Sequence, residues 1–582
     1  MKRKPLRGIS YTKTALTASK LPRWRSHLAI LLLTIAFASL IARAYWVQIA
    51  NKGFYAEQGN KRVQRTIEVP AARGLIVDRN QRILAMSRRS VAVFADPSEI
   101  DNISKEQINA LATLTKIPLA ELSKKLERNT SFVYLARQLP YEIGEKITAM
   151  NIHGIYKQLE WQRVYPLGES ASQVLGFAGS DNNGLEGIEF SMNQRLSAVN
   201  GQRMVMRNRL GQVVEDRGLL IAPQPGEKIT LTIDHRIQHA THMHLRDAVI
   251  KNKAEAGSAI VLDAQNGEIL ALANWPAYNP NDRQRRQGSA LRNRAVTDLF
   301  EPGSSIKPLN IALALDAGLI TPTSQIDTFG GRLQLGGGYT VHDVSRNGRL
   351  SVADVMRKSS NVGMVQIMQR LSAKQMWESF RRFGLGQAPN IPFPGVASGW
   401  LRPANKWKPI EQATMSYGYG ISVSLLQLAQ AYTALAGTGK MQPVKLLKHQ
   451  QTLPLYVISP KTAAAMRNLL ESTAAIKSHI NGYRVGGKSG TTRKLVNNKY
   501  ESNRHLSTYI GMAPISNPKI IVAVTIDDPS NGDYYGSAVA APVFADITKE
   551  ALQILKTPPD KSITPERLIS IEKRNTGVNH FN

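Results

Sequence analysis

A serine hydroxyl is a poor nucleophile until a neighbour takes its proton, and a lysine held neutral by its surroundings can do so. Residues three apart share a helix face, so Ser-x-x-Lys offers both groups together. The chain holds four such tetrads: Ser10/Lys13, Ser304/Lys307, Ser516/Lys519 and Ser570/Lys573. Context separates them. Ser10 lies in a basic tail, Ser516-Asn517-Pro518 reads as a turn, and Ser570 lies beyond the last patterned segment. Ser304 alone follows a Pro-Gly turn, Phe300-Glu301-Pro302-Gly303, and precedes an apolar helical run, Leu309 to Leu315. Pro308 falls in the first turn of that helix, where a missing N–H costs least. A serine at a helix start also meets backbone N–H groups, which suit developing negative charge. Ser304 is therefore the expected nucleophile and Lys307 its expected general base.

Acyl transfer by a serine further needs an oxyanion hole, a proton donor for the leaving group and a substrate anchor. Ser359-Ser360-Asn361 lies between the expected helical runs Val352 to Lys358 and Val362 to Leu371. Ser-x-Asn also begins at Ser180, Ser191 and Ser345, but Ser345-Arg346-Asn347-Gly348 reads as a turn. Gly486-Gly487-Lys488-Ser489-Gly490-Thr491-Thr492 holds the chain's Lys-Ser/Thr-Gly motif, and strand patterns come after it at Thr508 to Ala513 and Ile520 to Ile526. A strand carrying Lys488, Ser489 and Thr491 would offer a cation and two hydroxyls to an anion, with glycines permitting close approach. The competing reading is a Gly-rich hairpin or phosphate loop; the Walker spacing is not met.

The three motifs in this order resemble the penicillin-binding proteins and serine β-lactamases. Arg73-Gly74-Leu75-Ile76-Val77-Asp78-Arg79, Gly257-Ser258-Ala259, Phe300 to Ser304, Ser416-Tyr417-Gly418-Tyr419-Gly420 and Tyr534-Tyr535-Gly536 with Ala541 to Phe544 resemble class B penicillin-binding proteins. Within that class the resemblance is to the septal peptidoglycan transpeptidase of Gram-negative cell division, over about residues 28 to 558. It implies attack by Ser304 on the penultimate carbonyl of a D-Ala-D-Ala stem peptide, release of D-Ala and transfer to a neighbouring stem's amine. Ser359 would return a proton to the leaving amine, and Asn361 would orient Lys307 and a substrate amide. Lys488, Ser489, Gly490 and Thr491 would hold the terminal carboxylate. The backbone N–H groups of Ser304 and Thr491 would form the oxyanion hole, and β-lactams would acylate Ser304. Ser489 stands where threonine is more usual in the class. A lipid-linked glycan polymerase and other division-complex membrane proteins are the implied partners, and no cofactor or metal is expected. Alternatives are an elongation-specific transpeptidase, a D,D-carboxypeptidase, a β-lactamase, and a non-catalytic membrane scaffold or β-lactam sensor.

With 582 residues the chain is too long for one ordinary core. It has no cysteine, which excludes disulfides, thiolate metal sites and a cysteine nucleophile. Eight Lys/Arg and no acid occupy the first 27 residues, ahead of an uncharged run from Leu28 to Ile41 that continues past Arg43 to Ile49. About 20 residues cross a bilayer and basic flanks stay cytoplasmic. The expectation is an inner-membrane single-pass protein with its N-terminus inside and its catalytic domain periplasmic. A cleavable signal peptide is the rival, since Ala42-Arg43-Ala44 imitates a cleavage site. The net charge of +31 would suit nucleic acid, but an exported domain would use it near anionic lipid or wall polymer, and no nucleic-acid partner is expected.

The layout expected is multidomain α+β: a basic tail (1–27), a transmembrane helix (28–49), a mixed α/β non-catalytic pedestal, dimerisation-like by resemblance (50–225), a transpeptidase domain (226–558) and a polar, disordered tail (559–582). In the pedestal, Val91 to Ala95 reads as extended, Ser104 to Gln107 as a capping box, and Arg73, Asp78 and Arg79 as an internal ion-pair network or a simple turn. In the catalytic domain, Ile229 to Ile233 reads as a strand and Asp234 as the cap of a helix to Asn252. A hairpin turns at Asn266-Gly267, strands return only after Tyr483, and a last helix spans Ala541 to Leu555. This order implies an antiparallel sheet flanked by helices and built from both ends of the domain, with a helical lobe between. His235, His239, His242 and His244 read as an exposed polar face rather than a metal site.

Overall fold

The computed structural model describes residues 22–100, 102–207, 213–497 and 499–561. Two of the four tetrads, Ser10/Lys13 and Ser570/Lys573, lie outside these residues, as do most of the basic tail and the polar tail from 562. The described chain forms two compact units, residues 22–69 with 200–223, and residues 70–199 with 224–561.

The first unit opens with the helix Arg23–Tyr45, which runs through a π turn to Ala50. Its 28 residues, at about 1.5 Å each, exceed the roughly 30 Å hydrocarbon core of a bilayer, so this is one helix long and apolar enough to span. Arg43 lies over the Trp46 ring at 4.6 Å, so the one charge in the second half of the span sits beside an interfacial aromatic. Next come a helix, Lys52–Val63, and an antiparallel sheet of Gln64–Val69, Gly201–Arg207 and Val213–Ile221 in that order.

The second unit begins with a mixed sheet whose long strand Ile83–Ala95 pairs antiparallel with Val133–Pro140 and Ile155–Val164. Val93, Ala95, Leu111, Leu122, Leu135 and Ile147 form a small core under the helices Lys105–Thr115, Leu119–Leu126 and Tyr141–Ala149. Ser104 and Gln107 form the expected capping box. Ile229–Thr230, expected to open the catalytic sheet, instead pairs parallel with Ile76–Val77 in this one. Alternation marks the segment as a strand, but backbone proximity decides its partner: a Cβ on Gly74 would lie 2.0 Å from the Glu227 oxygen.

Arg73, Asp78 and Arg79 join three separate interactions rather than one network. Asp78 accepts from the N–H groups of Asn80 and Arg82 and meets His235 Nδ1 at 2.7 Å, while Arg79 reaches Glu268 at 3.1 Å. Arg73 Nε donates to Glu189 Oε2 at 2.6 Å, and Arg163 Nε donates to Glu189 Oε1 at 2.7 Å, all three residues being buried.

The catalytic sheet is five-stranded and antiparallel, in the order Ile269–Trp275, Ala256–Asp263, Ile520–Asp527, Lys499–Ala513, Gly486–Val496. Its central strands are covered on both faces and so read as continuous apolar runs. One face packs Ala259, Val261, Val522 and Val524 against the helices His235–Lys251 and Gly536–Ile554, through Leu245, Phe544 and Ile547. The other packs Ile260, Leu262 and Ala523 against a helical lobe centred on Lys307–Asp316 and Leu425–Ala436. Asp234 caps the first helix through the Arg236 N–H, and the hairpin turns where expected.

Three expectations need correction. Short strand pairs do occur before Tyr483, Gln325–Asp327 with Arg349–Ser351, Arg332–Gln334 with Thr340–His342, and Lys440–Met441 with Leu455–Tyr456. At two or three residues each they fall below the length at which alternation is readable. The last helix starts at Gly536, with Pro542 inside it rather than at its start. The four histidines do not form an exposed face: His242 is buried against Trp275, its burial holding the imidazole pKa down at about 4. His239 Nδ1 lies 3.0 Å from Ser170 Oγ, and His244 Nε2 lies 2.8 Å from Glu550.

Removing the carboxylate of Glu189 strands two buried guanidinium groups, a loss typically of about 3–5 kcal/mol. Glu189→Ala is expected to lower the unfolding temperature of the detergent-solubilised full chain markedly, read by intrinsic fluorescence, whereas Glu145→Ala, at the exposed Lys157 pair, changes it little.

Candidate active site

Ser304 lies in a single 3₁₀ turn, Gly303–Ile306, and Lys307 is the first residue of the α-helix that continues it to Asp316. Side chains at i and i+3 eclipse in a 3₁₀ turn, so the pair shares a face even before the α-helix begins. The turn is clamped by backbone. Gly303, at φ +52°, donates its N–H to the Gly418 oxygen at 3.0 Å, and a Cβ on Gly303 would lie 2.5 Å from Thr492 Cγ2. A Cβ on Gly418 would lie 2.2 Å from the Gly303 oxygen. Ser304 itself is partly open to solvent, while Lys307 is fully buried.

Lys307 Nζ meets Ser359 O at 2.6 Å, Asn361 Oδ1 at 2.8 Å and Ser359 Oγ at 3.2 Å. Ser359 Oγ donates to Ser304 Oγ at 2.9 Å. The amine thus reaches the nucleophile through the Ser359 hydroxyl. Burial first, and the Lys488 cation second, hold the Lys307 pKa well below its ordinary value, with Asp343 opposing. A neutral amine keeps two donors for the two carbonyl oxygens and a lone pair for the hydroxyl; with both hydroxyl protons turned the other way, Ser304 donating to Ser359 Oγ and Ser359 to Lys307 Nζ, the same contacts form a path for the Ser304 proton.

Ser359 occupies the junction between the helices Val352–Arg357 and Asn361–Met368 with φ +54°, a left-handed conformation that costs a non-glycine residue about 1–3 kcal/mol. Asp343 pins the start of the second helix. Its carboxylate accepts from Ser360 Oγ at 2.6 Å, from Val362 N at 3.0 Å and from Asn361 N, while Asn361 Nδ2 donates to His342 O at 3.1 Å. Nothing in the sequence singles out Asp343, because an aspartate in a polar loop carries no distance information. Ser345-Arg346-Asn347, the rival Ser-x-Asn, is the exposed turn expected, with Asn347 Nδ2 donating to Ser345 O.

Lys488 lies on the edge strand Gly486–Val496, opposite Ile510. It is buried, donates to Ser489 O at 3.1 Å, and burial lowers its pKa to about 8. Lys488, Gly490 and Thr492 share the buried face, where a Cβ on Gly490 would lie 3.0 Å from Pro302 O; Ser489 and Thr491 share the partly exposed face. Thr491 Oγ1 accepts from Gly536 N at 2.9 Å and keeps its own proton to donate. Of the histidine quartet, only His235 joins the candidate ligand group found among the described residues, with Asp78 and Asp234, in another part of the domain.

Because glycine takes φ near +54° freely and alanine does not, Ser359→Gly is expected to be more stable than Ser359→Ala by about 1 kcal/mol, although both remove the hydroxyl. Thermal unfolding of the two full-length variants checks this.

Residues 257–549 match the family described as the penicillin binding protein transpeptidase domain, and residues 68–231 match the penicillin-binding protein dimerisation domain. The chain is 40% identical over 551 residues to the probable peptidoglycan D,D-transpeptidase PenA of Neisseria meningitidis, covering 93% of this chain and 94% of that one. It is 35% identical over 556 residues to the peptidoglycan D,D-transpeptidase FtsI of Escherichia coli K12, covering 94% of each. Among solved structures, the transpeptidase domain of Burkholderia pseudomallei penicillin-binding protein 3 superposes with a TM-score of 0.53 at 43% identity, covering 57% of this chain and 98% of that one. By sequence over nearly its full length, and by the domains it carries, the chain belongs to the class B penicillin-binding proteins.

Proposed function

We propose that this serine D,D-transpeptidase cross-links peptidoglycan stem peptides at the division septum, and that Ser304 is the residue acylated. The observation that carries the assignment is the hydrogen-bonded line from Ser304 Oγ through Ser359 Oγ to the buried amine of Lys307. Ser304 attacks the penultimate carbonyl of a stem ending in D-Ala-D-Ala. Lys307 takes the proton through Ser359, and Ser359 hands it to the departing D-Ala. Asn361 orients Lys307 and a substrate amide. Lys488, Ser489, Gly490 and Thr491 hold the terminal carboxylate, and the N–H groups of Ser304 and Thr491 hold the oxyanion. A donor of this kind typically lowers the barrier by about 3–4 kcal/mol. β-Lactams, which carry a carboxylate beside a strained amide, enter as substrate mimics.

The working layout keeps residues 1–27 in the cytoplasm, 28–49 in the inner membrane, and the pedestal (50–225) and catalytic domain (226–558) in the periplasm. A lipid-linked glycan polymerase and other membrane proteins of the division complex are the partners this placement suits. The 35% identity to FtsI supports the septal assignment over elongation; depletion giving filaments supports it, and rounded cells would refute it.

Fluorescent penicillin should label the full chain in detergent, and Ser304→Ala should abolish the label. Lys307→Ala should fold yet acylate at least about 10²-fold more slowly, since positioned proton transfer contributes about 10²–10⁴-fold; a normal rate would remove Lys307 from its role.

The pH dependence has a definite sign. Lys307 must be neutral, so the acylation rate rises as pH climbs through its depressed pKa. Lys488 must be charged to hold a carboxylate, and it loses its proton above about 8. The second-order rate of penicillin labelling is therefore expected to be bell-shaped with a falling limb near pH 8, and Lys488→Arg should move that limb upward.

A further inference from the structure

Lys307 and Asn310 are the two polar side chains among the buried residues of the helix Lys307–Asp316, one turn apart. Lys307 turns to Ser359 and Asn361. Asn310, 1% exposed, turns elsewhere: its Nδ2 donates to Ser416 O at 2.9 Å and to Met415 O at 3.4 Å. These carbonyls lie at the end of the helix Pro409–Met415, where backbone oxygens run out of partners within the helix. The amide therefore ties the nucleophile's helix to the end of a second one. Its own oxygen, Oδ1, is buried and has no hydrogen-bond partner among the described residues.

Stability does not account for an asparagine at this place. An unpaired buried carbonyl destabilises a fold, and leucine has the same branched shape without polar atoms. What leucine lacks is the donor. Beyond Ser416 the chain runs directly to the nucleophile turn: Gly418 O accepts the Gly303 N–H at 3.0 Å, and a Cβ on Gly418 would lie 2.2 Å from Gly303 O. The far end of this loop is fixed by a backbone pair, Phe300 with Val423, at 3.0 and 2.9 Å. Its near end is the Ser416 carbonyl that Asn310 holds. Ser305, on the other side of the nucleophile, has a separate support, since its oxygen accepts from the Tyr432 hydroxyl at 2.7 Å.

We propose that Asn310 is a positioning residue for acylation: by holding the end of the helix Pro409–Met415 it fixes the loop seated on Gly303, and with it the place of Ser304. The inference rests on the acylation of Ser304 proposed above. Asn310 acts through Ser416, Gly418 and Gly303 and moves no proton itself. The Ser304 N–H and Oγ must meet one carbonyl together, and a misplacement of about 1 Å in such a group costs about 10²-fold in rate. Replacing an amide by an alkyl group adds and removes no charge, so the proton path from Ser304 through Ser359 to Lys307 keeps its pH dependence.

Full-length enzyme in detergent is acylated over a range of fluorescent penicillin concentrations, which yields the limiting acylation rate and the half-saturating concentration separately. Asn310→Leu should unfold close to the wild-type temperature, because it exchanges one unpaired oxygen, Asn310 Oδ1, for another, Ser416 O. Its limiting rate should fall at least about tenfold while the half-saturating concentration stays within about twofold and both limbs of the pH profile stay in place. A wild-type limiting rate overturns the proposal. So does a loss confined to the half-saturating concentration, a displaced pH limb, or a rate loss accompanied by a large fall in unfolding temperature. Should Asn310→Leu fail to fold, Asn310→Ala, which adds no bulk, is held to the same outcomes; if it too is unfolded, Asn310 is a core support and the proposal falls. Wild-type enzyme that takes no label at Ser304 would instead sink the acylation reading.

Discussion

A primary amine with no carboxylate of its own is buried one hydroxyl away from Ser304, and the packing of the surrounding domain must tolerate that arrangement. Desolvating an ammonium costs several kcal/mol unless an anion accompanies it. Here Lys307 meets three neutral oxygens, with a second buried amine, Lys488, near enough to repel it. Burial and that neighbour both shift the balance toward the neutral amine. A base can thereby be made from an amine ordinarily protonated at neutral pH, without any dedicated partner, and Asp343 opposes the effect.

This arrangement explains why the flanking backbone is so tightly specified. Ser359 is held in a left-handed conformation between two helices, each capped by its own serine, Ser351 and Ser360. The clamp of Gly303, Gly418 and Gly490 brings loop, nucleophile turn and edge strand closer than any side chain allows. Gly303 and Gly418 are required by left-handed backbone as well as by close approach, and Gly490 by close approach alone.

The Ser304–Lys307 tetrad at a helix start and the Lys488 strand motif are legible in the sequence because each is a short pattern with a local cause. So are the capping box at Ser104 and the two-ended sheet, since caps and long apolar runs declare themselves. Whatever depends on tertiary distance is not legible. Asp343 and Asn310 are ordinary polar residues until folding sets one on a helix start and the other against a helix end. The strand at Ile229 shows its alternation but not its partner. The histidine helix shows the opposite error: a polar pattern promises exposure, whereas His242 turns inward beside Trp275. Burial of a neutral imidazole costs little, and sequence alone does not reveal which face a neighbouring strand will cover.

The final helix meets the site at its first residue, Gly536, whose N–H donates to Thr491 Oγ1 and on which a Cβ would lie 2.3 Å from the Gly490 oxygen. The positive end of its macrodipole thereby rests against the edge strand where an anion is to be held. That contact also imposes an order in time. Nothing shorter than the chain through residue 554 carries the finished constellation, since the strand presenting Lys488 is braced by a helix made last. During synthesis Ser304 is an ordinary alcohol, and its hydrogen-bonded partners are in place only when folding is nearly complete.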